Sequence, residues 1–202
     1  MIGAPSDGRT PGGARMVDAS VAGTSGPVVA GAGVVGVGAA ALVAAGAETT
    51  TEAVALVVYV AALSGAVVLD LRTRRVPNRY LAVVTTATAG CFAVAAIAGT
   101  TRSPAAALVG AMSLTLVFAV IHLAAPAAFG GADVKIAALV GLGTCWFGLD
   151  HLQWLLLWTW CGLAIVGLPL LRRRRRSGRS TIVPFVPFLA AGSIATILLA
   201  VW

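Results

Sequence analysis

Two aspartates stand at positions where an apolar chain has little use for them. Asp70 closes the run Val67-Val68-Leu69 and is followed by Leu71-Arg72. Asp133 follows Phe129-Gly130-Gly131-Ala132 and precedes Val134-Lys135. Each has a plain reading. Asp70, at a helix C-terminus, meets the unfavourable end of the dipole and would be an anchor paired with Arg72, Arg74 or Arg75. Asp133 would be an N-cap, where a carboxylate is favoured, after glycines that allow a tight turn with the backbone close to a neighbour. The alternative is that the two share a site. Two carboxylates in one site cannot both ionise cheaply, so one proton is held between them. The ionised one can then take a proton from water, while the protonated one donates to a carbonyl oxygen and later to a leaving nitrogen.

Other chemistries have less support. Gly31-Ala32-Gly33-Val34-Val35-Gly36 matches a dinucleotide fingerprint, but that reading needs a preceding strand and a soluble βαβ unit. Ala32, Gly36, Ala40 and Ala44 instead form a small-residue face for helix packing. Gly23-Thr24-Ser25-Gly26 resembles a serine membrane protease motif but falls in a polar tail. Cys91, Cys145 and Cys161 are far apart and form no C-x-x-C pair, so neither a metal nor a redox cofactor is expected. His122 is the one ionisable group deep in an apolar window. It reads as a neutral imidazole bonded to a backbone carbonyl, with a substrate or water contact as the alternative. Pro126 is expected to kink the same helix.

The elements that hold these residues follow from composition. The 202 residues are 59% hydrophobic and 10% charged, against about 25% charged in a soluble domain. A water-soluble enzyme and a disordered chain are excluded, and an all-α polytopic transmembrane bundle of about seven spans (six to seven) is expected. Charge-free windows run 19–47, 53–69, 80–101, 103–132, 136–149, 151–171 and 180–202. The fifth is short. From Asp133 to Phe147 is about 22 Å of helix, so with Trp146 and Phe147 at one interface Asp133 lies below the other. An acid at that depth is a functional-site candidate.

Orientation follows from the arginines. Alternating spans place Arg72, Arg74, Arg75, Arg79, Lys135, Arg172 to Arg176 and Arg179 on one side with Arg9 and Arg15. Thirteen of the fourteen basic residues then share that side, only Arg102 lying opposite with Glu48, Glu52 and Asp150. Basic loops mark the cytoplasm, so the N-terminus and both aspartates are expected there and Trp202 outside. Trp146, Phe147 and Trp154 are expected in an outer aromatic belt. The net charge of +7 is read as a membrane-surface signature rather than a nucleic-acid one, with the Arg172–Arg176 loop on anionic lipid. Residues 1–26 read as a flexible tail and 27–202 as the membrane domain. A start at Met16, or a cleaved signal ending near Ala47, is a further option.

The motif segments carry a resemblance. Asp70-Leu71-Arg72-Thr73-Arg74-Arg75-Val76-Pro77-Asn78 resembles the first aspartate motif of type IV prepilin peptidases. Gly130-Gly131-Ala132-Asp133-Val134-Lys135 resembles the second, the G-x-G-D motif of aspartic membrane proteases, and Pro184-Phe185-Val186-Pro187-Phe188 resembles a Pro-Phe-Gly-Pro segment near the end. The resemblance covers residues 53–202. It implies an endopeptidase of the bacterial inner membrane with catalytic Asp70 and Asp133, supported by Arg72, Pro77, Asn78, Gly130, Gly131 and Lys135. It implies prepilin or pseudopilin substrates whose short basic leader is cut at the cytoplasmic face, and no metal or organic cofactor.

There are departures. Ala132 replaces a Gly, which would strain the chain only if that position had positive φ, and Val186 replaces another. No paired C-x-x-C is present, as in the short members associated with Flp/Tad-type pili, so N-methylation is not expected. Pro77 should end one helix and Asn78 cap the next. Lys135 should face away from Asp133, toward headgroups or Asp70. A non-catalytic pilus-assembly protein and a small proton-coupled transporter are the competing readings.

Overall fold

The computed structural model describes residues 26–73, 75–124, 131–167, 169, 172 and 185–202. The proposed tail up to residue 25, with Gly23 to Ser25 of the Gly23–Gly26 motif, and Arg74, Pro126, Gly130, Arg173 to Arg176, Arg179 and Pro184 lie outside them. Each apolar window is a helix: α1 Gly26–Ala45, α2 Thr50–Thr73, α3 Asn78–Ile97, α4 Pro104–Ala124, α5 Gly131–Thr144, α6 His151–Gly162 and α7 Val186–Val201. A single 3-10 turn, Cys145–Phe147, extends α5, and a π turn, Leu163–Gly167, extends α6. The described residues contain no strand. The fold is an all-α bundle, and α2, α3 and α4 are each long and apolar enough to cross a bilayer. Ile97, Leu123 and Met112 are among the large apolar side chains left exposed, as on a surface solvated by lipid rather than water.

Helix α2 shows why the bundle packs as it does. Glu52, Leu56, Tyr59, Leu63, Ala66 and Asp70 are all buried. Their spacing alternates four and three, the repeat that keeps one helix face against its neighbours. Helix α5 is buried over most of its circumference: Ile136, Ala137, Leu139 and Val140 are inaccessible. It therefore sits in the middle. Helices α2 and α7 pack on it, α1 and α6 cover α2 and α7, and α3 and α4 both lean on α5.

Glycines set the closest crossings. A Cβ on Gly141 would lie 2.5 Å from the Gly110 carbonyl oxygen and 2.8 Å from the Ala111 Cα, so α4 and α5 meet backbone to backbone. Gly143 receives the Tyr59 ring, Gly192 receives Thr159, and Gly36 of the α1 small-residue face receives Ser64. Beyond α3, Gly99 at φ +90° turns the chain toward α4, a conformation in which glycine carries no Cβ penalty.

One end of the bundle is closed by a polar cluster. Glu52, fully buried, accepts from Arg102 Nε at 3.1 Å, Trp146 Nε1 at 3.0 Å and the Glu48 amide at 2.7 Å. Arg102 also lies 3.4 Å from Glu48 and over the Phe147 ring. Glu48 accepts from the Thr101 amide at 2.8 Å and the Thr101 hydroxyl at 2.6 Å. Two expectations change here. Glu52 is a core residue rather than a loop charge, and Trp146 is 1% exposed rather than part of an interfacial belt. The indole is drawn inward because a buried carboxylate needs donors. Trp154, at 45% exposure, does face outward.

Candidate active site

The antiparallel pairing of α2 and α5 places the two aspartates at the same end. Trp146, just past α5, bonds Glu52 in the first turn of α2. The start of α5, with Asp133 in its first turn, therefore lies beside the last turn of α2, which holds Asp70. Asp70 is 9% exposed and Asp133 half-buried. Asp133 ends the buried α5 face of Ala137, Val140 and Thr144, as Asp70 ends that of α2.

A hydroxyl bridge near the C-terminal end of α5 ties three helices together. The Tyr59 and Ser193 hydroxyls are 2.5 Å apart, and those of Thr144 and Ser193 2.7 Å apart. Tyr59 also donates to the Val140 carbonyl at 3.4 Å. Ser193 of α7 thus links Tyr59 of α2 to Thr144 of α5, and Tyr59 meets α5 directly one turn earlier, at Val140. Asp70 lies eleven residues beyond Tyr59, and Asp133 eleven residues before Thr144. Eleven residues are about 16 Å of helix and make three turns to within about 20°. Both aspartates consequently lie about three turns from this point toward the same end of the bundle, on the helix faces that carry Tyr59 and Thr144.

The flanking motif residues meet directly. Lys135 Nζ donates to Asn78 Oδ1 at 2.6 Å, joining the start of α5 to the start of α3. Lys135 thereby faces away from Asp133, as the spacing predicts, and its partner is Asn78 rather than Asp70. Asn78 is the first residue of α3, not its cap. Pro77 holds the cap position at φ −61°, ψ 136° with no side-chain cap bond. The Asn78 oxygen is committed to the ammonium, and the rigid Pro77 backbone sets the entry to the helix.

Arg72 is exposed on the last turn of α2. Gly131 is exposed, and a Cβ there would meet nothing within 4 Å, so no close backbone approach requires a glycine. Ala132 lies in regular helix, which removes the strain a positive φ would bring. His122 lies two residues before the end of the described part of α4. Phe185 caps α7 and Val186 begins it at this same end, Val186 buried and the Phe185 ring tilted against that of Phe118 at 5.5 Å. A valine thus fills core space at that departure from the motif.

Thr73 escaped the sequence reading. Its hydroxyl is shared between the Leu69 carbonyl at 2.8 Å and the Arg75 carbonyl at 2.7 Å, closing α2 and fixing the turn into Pro77. Only the spacing of a hydroxyl four residues after a helical carbonyl could have signalled it. Tyr80 reinforces the hairpin, donating to the Ala62 carbonyl at 2.8 Å and covering Gly65.

A groove of about 510 Å³ opens on the outer surface where α3 and α4 diverge over α5. Asn78, Lys135 and Val134 lie at its polar end, and Leu81, Thr115 and Ala138 continue it along the bundle. Among the described residues no three His, Cys, Asp or Glu side chains converge as metal ligands would.

Residues 56–201 match the model of the type IV leader peptidase family. The chain belongs to that family. The match begins inside α2 and ends with α7, so it takes in Asp70, Asp133 and the α7 segment together. Comparison with curated proteins and with solved structures finds no match. Membership makes the chain a membrane-bound protease that acts on prepilin-like proteins.

Proposed function

We propose that the chain is an aspartic endopeptidase of a bacterial inner membrane that cuts the short basic leader from prepilins or pseudopilins at the cytoplasmic face. Asp70 and Asp133 form the water-activating pair, and residues 27–202 the peptidase domain. The observation that carries this reading is the antiparallel course of α2 and α5: Glu52 in the first turn of α2 meets Trp146 just past α5, so Asp70 and Asp133 lie toward the same end of the bundle. Carboxylates paired there hold one proton between them. The ionised partner draws a proton from a water lying between them as its oxygen adds to the scissile carbonyl. The protonated partner donates to the carbonyl oxygen, and a proton is returned to the leaving nitrogen as the C–N bond breaks.

The groove over α5 offers the substrate's apolar segment a place to lie along the bundle, with Asn78 and Lys135 at one end. The cytoplasmic assignment rests on thirteen of fourteen basic residues falling on the aspartates' side. It sets the N-terminus inside, Trp202 outside and the Arg172–Arg176 loop against anionic lipid. Acids gathered at one end also count against a proton path across the bilayer, the feature a transporter needs.

Co-expression with a tagged prepilin from the same genome tests the reading. A leader-sized gel shift with the parent should disappear in Asp70→Asn and in Asp133→Asn at equal expression. A shift that survives either substitution would sink the paired mechanism.

A further inference from the structure

Three buried hydroxyls from three helices meet inside the bundle. Tyr59, Thr144 and Ser193 are each at most 1% exposed and come from α2, α5 and α7. They form a connected chain: Thr144 bonds Ser193 and Ser193 bonds Tyr59, either hydroxyl of each pair serving as donor, and Tyr59 also reaches the Val140 carbonyl. Apolar side chains of similar size would pack there with less demand on geometry, because a hydroxyl left unpaired in such surroundings is costly. Hydrogen bonds are also directional, whereas apolar contacts allow two helices to slide or rotate against each other. The Tyr59 ring seats on Gly143, where a Cβ would collide with it, so the phenol reaches the bridge only at one register of α2 against α5.

We infer that Tyr59, Thr144 and Ser193 are positioning residues that set the axial and rotational register of α2 on α5, and with it the approach of Asp70 to Asp133. The inference rests on the proposed two-aspartate reading. A rotation at the bridge is carried along about three turns of α2 and of α5 to both acids. A displacement of about 1 Å at a reacting centre costs on the order of 10²-fold in rate.

The test uses the full chain, purified in mixed micelles with a tagged prepilin, and two substitutions of Thr144 that separate hydroxyl from shape. Thr144→Val keeps the volume and removes the donor. Thr144→Ser loses a methyl and keeps the donor. Positioning predicts that Thr144→Val lowers kcat roughly 10- to 100-fold with KM within about twofold, while Thr144→Ser stays within about threefold of the parent. A packing role predicts the reverse order, and that result would overturn the inference.

Cross-linking supplies the geometric readout. Asp70→Cys and Asp133→Cys are combined in a chain whose Cys91, Cys145 and Cys161 are replaced by Ala, and treated with a short thiol cross-linker. The expected result is efficient cross-linking that drops several-fold when Thr144→Val is added. Cross-linking unchanged by Thr144→Val overturns the positioning role while leaving the aspartate pair standing. Absence of cross-linking even with Thr144 intact removes the pair itself, and the inference with it. Tyr59→Phe, which keeps the ring on Gly143, should reproduce the Thr144→Val effects; parent-like kcat and cross-linking in it would count against the chain.

Discussion

Lys135 and Asp133 stand two positions apart on α5 and turn different ways, the acid toward the bundle and the ammonium toward α3. The bond from Lys135 to Asn78 therefore holds α3 against α5 without occupying a carboxylate. Both partners are exposed, so removing either should change stability by no more than about 0.5 kcal/mol. Activity is a different matter, because the bond closes the polar end of the groove proposed to take the substrate. Asn78→Ala and Lys135→Met are each expected to lower kcat/KM roughly tenfold, and the double variant no further, since the two act through one bond. A double-mutant cycle on the tagged prepilin checks this. Additive losses would mean that each side chain touches substrate on its own account.

Helices α4 and α5 illustrate what an element contributes to a site that it flanks. Their backbones touch at Gly110 and Gly141, and the neighbours of a new Cβ there are backbone atoms that cannot rotate away. Gly141→Ala should therefore cost about 1–3 kcal/mol by overpacking and lower activity by tilting α5, which carries Asp133. Gly38→Ala on α1, where a Cβ would meet nothing within 4 Å, is the control and should be neutral or stabilising by up to about 1 kcal/mol. Thermal unfolding in detergent distinguishes the two.

The same scale explains what could be read before any coordinates. The helices were legible because charges bracket apolar windows, and the two aspartate segments because their residue order is unusual for membrane helices. Tyr59, Thr144 and Ser193 were not legible. They lie 49 and 134 positions apart, and a hydroxyl inside an apolar window looks alike whether it faces lipid or a partner. Glu52 was misplaced for a related reason: a charge next to a window marks a span end equally well when it turns inward. Asn78 was misread as a cap because capping preference is local, while its actual partner comes from another helix.

Across the whole molecule, polar contacts recur at three heights of α5: Lys135 to Asn78, Thr144 through Ser193 to Tyr59, and Trp146 to Glu52. The last belongs to a cluster at the end away from the aspartates, and that cluster has its own pH dependence. The Thr101 hydroxyl and amide, then Thr100 and Arg102, hold the Glu48 carboxyl below its ordinary value of 4.5. A carboxylate whose folded pKa is depressed binds fewer protons folded than unfolded, so it contributes stability above its unfolded pKa. That contribution is lost as pH falls from about 4.5 through the lower folded value. Other acids titrate in the same window, so the comparison must be differential. The parent should lose melting temperature more steeply than Glu48→Gln between about pH 5 and pH 3, and above pH 6 the two curves should be separated by a constant offset. Because Glu48 is exposed, salt should shrink the difference. Parallel curves across the whole range would show that Thr101 and Arg102 hold the loops together without help from the Glu48 charge.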